Sequence, residues 1–120
     1  MNLLEKEKIV EKLFVRFYEE YPDLERFGEN GKKRTKEDIN YHFQYMETAY
    51  SLLNKKVFHD YIIWLSEVLE TRGVGRQLLY INLEWIAQEL QVLDETEEIG
   101  FFLEILAEGM ELIKSSNQGE

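Results

Sequence analysis

Apolar residues along the chain recur at helical spacing in five stretches separated by short polar breaks. In the first, about residues 3 to 20, Leu3, Val10, Phe14, Phe17 and Tyr21 follow one another at steps of 7, 4, 3 and 4. That spacing predicts one greasy stripe on an amphipathic helix. Glu5, Lys8 and Glu11 stand at i, i+3 steps on the polar side. Pro22 predicts the end of the helix, because the residue before a proline is biased away from helical backbone. Residues 22 to 34 read as an irregular stretch with a short helical turn near 23 to 27. Gly28, Asn30 and Gly31 mark its loop.

A second helix is predicted from Thr35, with Asp38 completing a capping-box pattern. It carries two stripes: Ile39, His42, Met46, Ala49 and Leu53, and then Tyr41, Tyr45, Thr48 and Leu52. Two such faces predict a central helix covered from more than one side. The third helix covers about Val57 to Arg72, with Phe58, Tyr61, Ile62, Leu65, Val68 and Leu69 apolar and Trp64 beside them. Gly73 suits the left-handed residue that closes a helix. The fourth covers about Gln77 to Gln91. The fifth, capped by Asp94, runs to about Lys114 on Ile99, Phe102, Leu106, Met110 and Ile113.

The expected fold is therefore all-α, a compact bundle of about five helices, with globin-like crossed packing as the alternative. One helical domain is expected over residues 1–114, followed by a flexible tail over 115–120.

Composition narrows the chemistry. The chain has no cysteine, which removes disulfides, thiolate nucleophiles and cysteine-ligated metals. Charged residues begin at Glu5, and no apolar run reaches the ~18 residues of a membrane span. A cytoplasmic protein without membrane association is expected. The net charge is −10, and it is unevenly placed: residues 1–80 hold 13 Lys/Arg against 14 Asp/Glu, whereas Lys114 is the single cation among ten acids in residues 81–120. Phosphate backbones would be repelled there, so nucleic acid is not an expected partner.

Only a few groups could carry chemistry. His42 follows Asp38 by one helical turn, the spacing of a base and its orienting carboxylate. No nucleophile or third ligand accompanies the pair, so no catalytic residue, metal or cofactor is assigned, haem included. His59 and Asp60 are adjacent and diverge on a helix. The aromatic set of the central helices could line a small-molecule pocket, with Tyr41, His42, Tyr45, Tyr61 and Trp64 as candidate lining residues. The competing reading is ordinary packing. Lys32, Lys33 and Arg34 precede the expected start of the second helix, where free amides could join them in binding an anion. Arg72 and Arg76 flank a Gly-x-Gly turn with no preceding strand, which is a helix–helix turn rather than a dinucleotide site. Both are candidate contacts for an acidic partner.

Several phrases occur together in order: Tyr21-Pro22-Asp23-Leu24 with Arg26-Phe27-Gly28, Glu37-Asp38 with Tyr41-His42 and Tyr45, Phe58 with Asp60-Tyr61 and Trp64, and Arg72-Gly73-Val74. Over about residues 20–90 this resembles a helical regulatory or sensory module of bacterial proteins, of the kind found ahead of cobalamin-binding domains. The resemblance implies a regulatory role and no catalytic signature. The chain lacks the Asp-x-His-x-x-Gly motif of the cobalamin domain itself, so the implied action is contact with another protein, with homodimerisation included. The alternative is sensing of a small apolar or aromatic ligand.

Overall fold

The computed structural model describes residues 1–118, with side chains described as far as residue 114. Among these residues the chain is all-α, as the periodicity predicts, with five α-helices and no strand. Helix α1 is Leu3–Glu20, α2 is Gly28–Leu52, α3 is Lys56–Thr71, α4 is Arg76–Gln91 and α5 is Glu97–Gln118; a 3-10 turn, Pro22–Phe27, joins α1 to α2. The expected tail falls partly within α5, and residues 119 and 120 lie outside the described residues. The chain divides into two compact units, Met1–Gln44 and the residues from Tyr45 onward.

In the first unit, α1 opens on a reciprocal cap. The Glu5 amide donates to Asn2 Oδ1 (2.8 Å) and the Asn2 amide donates to Glu5 Oε1 (3.0 Å). Its buried residues are Ile9, Val10, Leu13 and Phe17, whereas Leu3, at the head of the expected stripe, is exposed. Glu11, Phe14 and Tyr18 face α2. Lys36 Nζ lies 2.6 Å from Glu11 Oε2 and 5.3 Å from the Phe14 ring centre, and Tyr18 Oη is 3.4 Å from Thr35 Oγ1. These contacts set residues 11 to 18 of α1 against residues 35 and 36 of α2.

The start of α2 departs from the sequence expectation. Asn30 and Gly31 are helical rather than a loop, Gly28 is the junction at which α2 begins, and Thr35 is an interior residue, not a cap. Its Oγ1 donates to the Gly31 carbonyl (2.9 Å), a back-bond across one turn. Gly28 holds a φ of 68° where the 3-10 turn gives way to α2. Gly31 serves close approach instead: a Cβ there would run into Phe27 Cβ. Gly31→Ala should therefore destabilise by about 2 kcal/mol, although alanine is the better helix former. Chemical denaturation checks the sign.

In the second unit α3 and α5 run parallel, with α4 packed on α5 after the short connection at 92–96. The core includes Phe58, Ile62 and Leu65 from α3, Leu79, Leu83, Ile86 and Leu90 from α4, and Phe102, Ile105, Leu106 and Ile113 from α5. Gly109 of α5 is buried, and a Cβ there would lie 3.2 Å from Phe58 Cε2 and 3.5 Å from Leu83 Cδ1. Tyr50, near the end of α2, meets Phe101 and Phe102 edge-on at 5.3 and 6.1 Å. The cap of α5 is Thr96, whose Oγ1 accepts from the Ile99 amide (3.1 Å), and not Asp94.

Two helices end in the same six-residue closure with different residues at its left-handed position. After α3, Val74 N–H donates to Leu69 O (2.9 Å) and Gly73 N–H to Glu70 O (3.1 Å), with Gly73 at φ 78°. After α2, Asn54 N–H donates to Ala49 O (2.9 Å) and Leu53 N–H to Tyr50 O (3.0 Å), but the residue at φ 50° is Leu53. A leucine there costs roughly 1–2 kcal/mol relative to ordinary helical backbone, and its side chain is 78% exposed, so burial does not offset the strain. Leu53→Gly should stabilise the protein by about 1 kcal/mol, read as a higher denaturation midpoint at unchanged slope.

Candidate functional site

The aromatic residues singled out by the sequence separate by depth. His42 and Tyr61 are buried, whereas Tyr41, Tyr45 and Trp64 are exposed. The stripe of Tyr41, Tyr45, Thr48 and Leu52 along α2, which the sequence suggested would be covered, faces solvent. Periodicity locates such a stripe without saying whether anything lies on it.

In the second unit three of these residues form one ladder between α2 and α3. The rings of Tyr45 and Tyr61 stack at 4.0 Å with an interplanar angle of 8°. Tyr61 is tilted against Trp64 at 6.5 Å, and on its inner side against Phe58 at 6.1 Å. The ladder thus runs from the core, at Phe58, out to a tryptophan that is 57% exposed beside a tyrosine that is 39% exposed. Trp64 follows Tyr61 by three residues and precedes Val68 by four, so these lie on one flank of α3; Val57 lies on it two turns earlier. Tyr45, Thr48 and Leu52 continue the surface along α2 at steps of 3 and 4. Stacking on a buried, core-anchored ring holds Tyr45 in place before any partner arrives.

A polar cluster, invisible to local sequence reading, joins α3 to α5. His59 Nε2 is 2.9 Å from Glu108 Oε1, and Lys55 Nζ bridges Glu104 and Glu108, the latter at 3.6 Å. The hydrogen bond to Glu104 is the main influence raising the Lys55 pKa above its usual value. The partners lie 49 residues apart in sequence, so only the packing of α3 on α5 brings them together. His59 thus has a carboxylate partner, but it is Glu108 and not the adjacent Asp60. Asp60 instead holds Lys56 at 2.7 Å across one turn of α3. Among the described residues, no group of three or more histidines and carboxylates is arranged to hold a metal ion.

The basic candidates are mostly engaged within the chain. Lys32 Nζ lies 3.2 Å from Glu25 and 3.6 Å from Glu29, and the Glu25 hydrogen bond is the first cause of its raised pKa. Because α2 begins at Gly28, Lys32, Lys33 and Arg34 stand inside the helix rather than before its free amides; Lys33 and Arg34 are exposed. Arg76 Nε lies 2.6 Å from Glu70 Oε1 and is largely buried, so it ties the α3–α4 turn. Arg72 closes α3 and is exposed.

His42 is 1% exposed on the inner face of α2, and burial pushes its pKa down to about 3. The imidazole is therefore neutral at physiological pH. No helix of the described residues is long and apolar enough to cross a membrane. Comparison with protein-family models, curated proteins and solved structures yields no match to this chain.

Proposed function

We propose that this chain is a non-catalytic, cytoplasmic regulatory or signalling module that acts by protein–protein contact, in the bacterial setting its sequence resemblance implies, and that the α2–α3 aromatic face is its contact surface. One observation carries the reading: Trp64 is 57% exposed at the outer end of a ring ladder anchored in the core. An exposed tryptophan forgoes much of the ~1.5–3 kcal/mol or more that burying a large side chain supplies to folding. Tryptophan and tyrosine are also the residues most often dominant in protein interfaces, because they bring large area at low entropy cost. Exposed Tyr45 and Trp64 suit contact with another macromolecule better than the lining of an enclosed small-ligand pocket.

A photo-crosslinking residue placed at position 64, with another at exposed Glu19 as control, tests this in the cells that produce the protein. A discrete crosslinked partner is expected from position 64 and not from position 19. The same products from both positions, or none from position 64, would count against the proposal.

A further inference from the structure

Charge identifies the partner that would fit this face. From Tyr45 to the end, the chain carries 5 Lys/Arg against 14 Asp/Glu. Three of those cations are held by the unit's own acids: Lys55 by Glu104 and Glu108, Lys56 by Asp60, and Arg76 by Glu70. The field around the second unit is therefore negative. The aromatic strip lies within it: on α3 exposed Glu67 stands one turn after Trp64, and Asp60, which holds Lys56, one turn before it. The strip carries no charge: exposed Tyr45, Thr48 and Leu52 lie along one flank of α2, half-buried Val57 and exposed Trp64 along one flank of α3, and the stack of Tyr45 on buried Tyr61 joins the two. Its length along α2, seven residues, is about 10 Å, or two helical turns.

We infer that this face takes a basic amphipathic helix of a partner protein, its apolar side laid on the Tyr45–Trp64 strip and its Lys and Arg residues over the acidic rim. Helix-in-surface docking needs apolar anchors at i, i+3 or i+4 and i+7, which match a strip of this length. Cationic side chains gain twice, from the carboxylates and from the faces of an exposed indole and phenol. A nucleic acid or an anionic membrane meets repulsion from the same acids, and a second copy brings an equal negative rim. The inference rests on the proposed contact role and adds the chemistry of the partner.

The test uses the full chain with Trp85→Phe, which leaves Trp64 as the sole tryptophan reporter. The probes are two synthetic amphipathic helices of about 18 residues with the same leucine face, one with Lys and Arg on its polar side and one with Glu there. The basic peptide should shift Trp64 emission to shorter wavelength, bind more weakly as salt rises, and leave the emission unmoved when the Glu peptide replaces it. Trp64→Ala and Tyr45→Ser, each made in the unmodified chain, should lower the affinity for the labelled basic peptide about tenfold or more, the scale of an interface hot spot. Equal binding by Trp64→Ala would overturn the proposal, because the peptide would then be adhering to acids elsewhere. Trp64-dependent binding of the Glu peptide would overturn the partner chemistry while leaving the contact surface standing. A Trp64 shift that grows with protein concentration, without peptide, would make the face a self-interface and overturn the proposal. Neither peptide binding would overturn it too, and the crosslinking result would then decide the contact role separately.

Discussion

Gly109→Leu is expected to destabilise the protein by about 3 kcal/mol, whereas Gly100→Ala, nine residues earlier on α5, should stabilise it by about 1 kcal/mol. Both glycines are helical, and intrinsic propensity favours replacing either one. Their surroundings decide the outcome. Nothing lies within 4 Å of a Cβ built on Gly100, which is exposed, so alanine there gains helix propensity and loses no packing. A Cβ on Gly109 would already sit 3.2 Å from Phe58 Cε2, 3.5 Å from Leu83 Cδ1 and 3.7 Å from Ile62 Cγ1. A leucine must push further, into side chains of α3 and α4 that are themselves fully buried. Interiors are close-packed, so the added atoms move neighbours out of favoured rotamers or separate the helices. Denaturant titration of the two variants checks the pair. Equal effects of one sign would mean that α5 does not pack against α3 and α4 at Gly109.

The second large effect is on the pH dependence of stability and comes from His42. Its folded pKa is pushed down to about 3 by burial, against the ordinary value of 6.5 in the unfolded chain. Between those values the unfolded state binds a proton that the folded state does not. Stability from this group is therefore complete above about pH 6.5 and is lost as the pH falls toward 3, at roughly 1.4 kcal/mol per pH unit in mid-window. At pH 5 the loss is about 2 kcal/mol relative to pH 8. The many carboxylates also titrate in acid, so the useful quantity is the difference between the protein and His42→Leu, which keeps an apolar side chain at the site and cannot titrate. That difference should shift by about 2 kcal/mol between pH 8 and pH 5, in the direction that favours the variant at low pH. A pH-independent difference would mean the imidazole is protonated or solvated in the folded chain.

Local sequence chemistry was legible where it governs the backbone. The bounds of α1 follow from the stripe and Pro22, and Gly73 closes α3 as its left-handed preference requires. The limits of α3 and α4 follow within a residue from their apolar spacing. The start of α2 was not legible, because Gly28, Asn30 and Gly31 have the composition of a loop. The reason for Gly31, its contact with Phe27, exists only once the 3-10 turn has folded back on the helix. The surface was least legible. Tyr45 and Trp64 were identifiable as candidates, but a helical stripe reads the same whether it is covered or bare. The pairing of His59 with Glu108 depends on the packing of α3 against α5, which no spacing within either helix encodes.

The contact role rests on Trp64 standing in water at the outer end of a preformed ring stack. Acrylamide quenching of Trp85→Phe, in which Trp64 is the sole tryptophan, measures this directly. Red-shifted emission and efficient quenching are expected in the folded chain, with Trp64→Ala in the unmodified protein changing stability by no more than about 0.5 kcal/mol. Blue-shifted emission protected from the quencher, with a large loss of stability in Trp64→Ala, would show that the indole is a core residue and that the aromatic face does not exist.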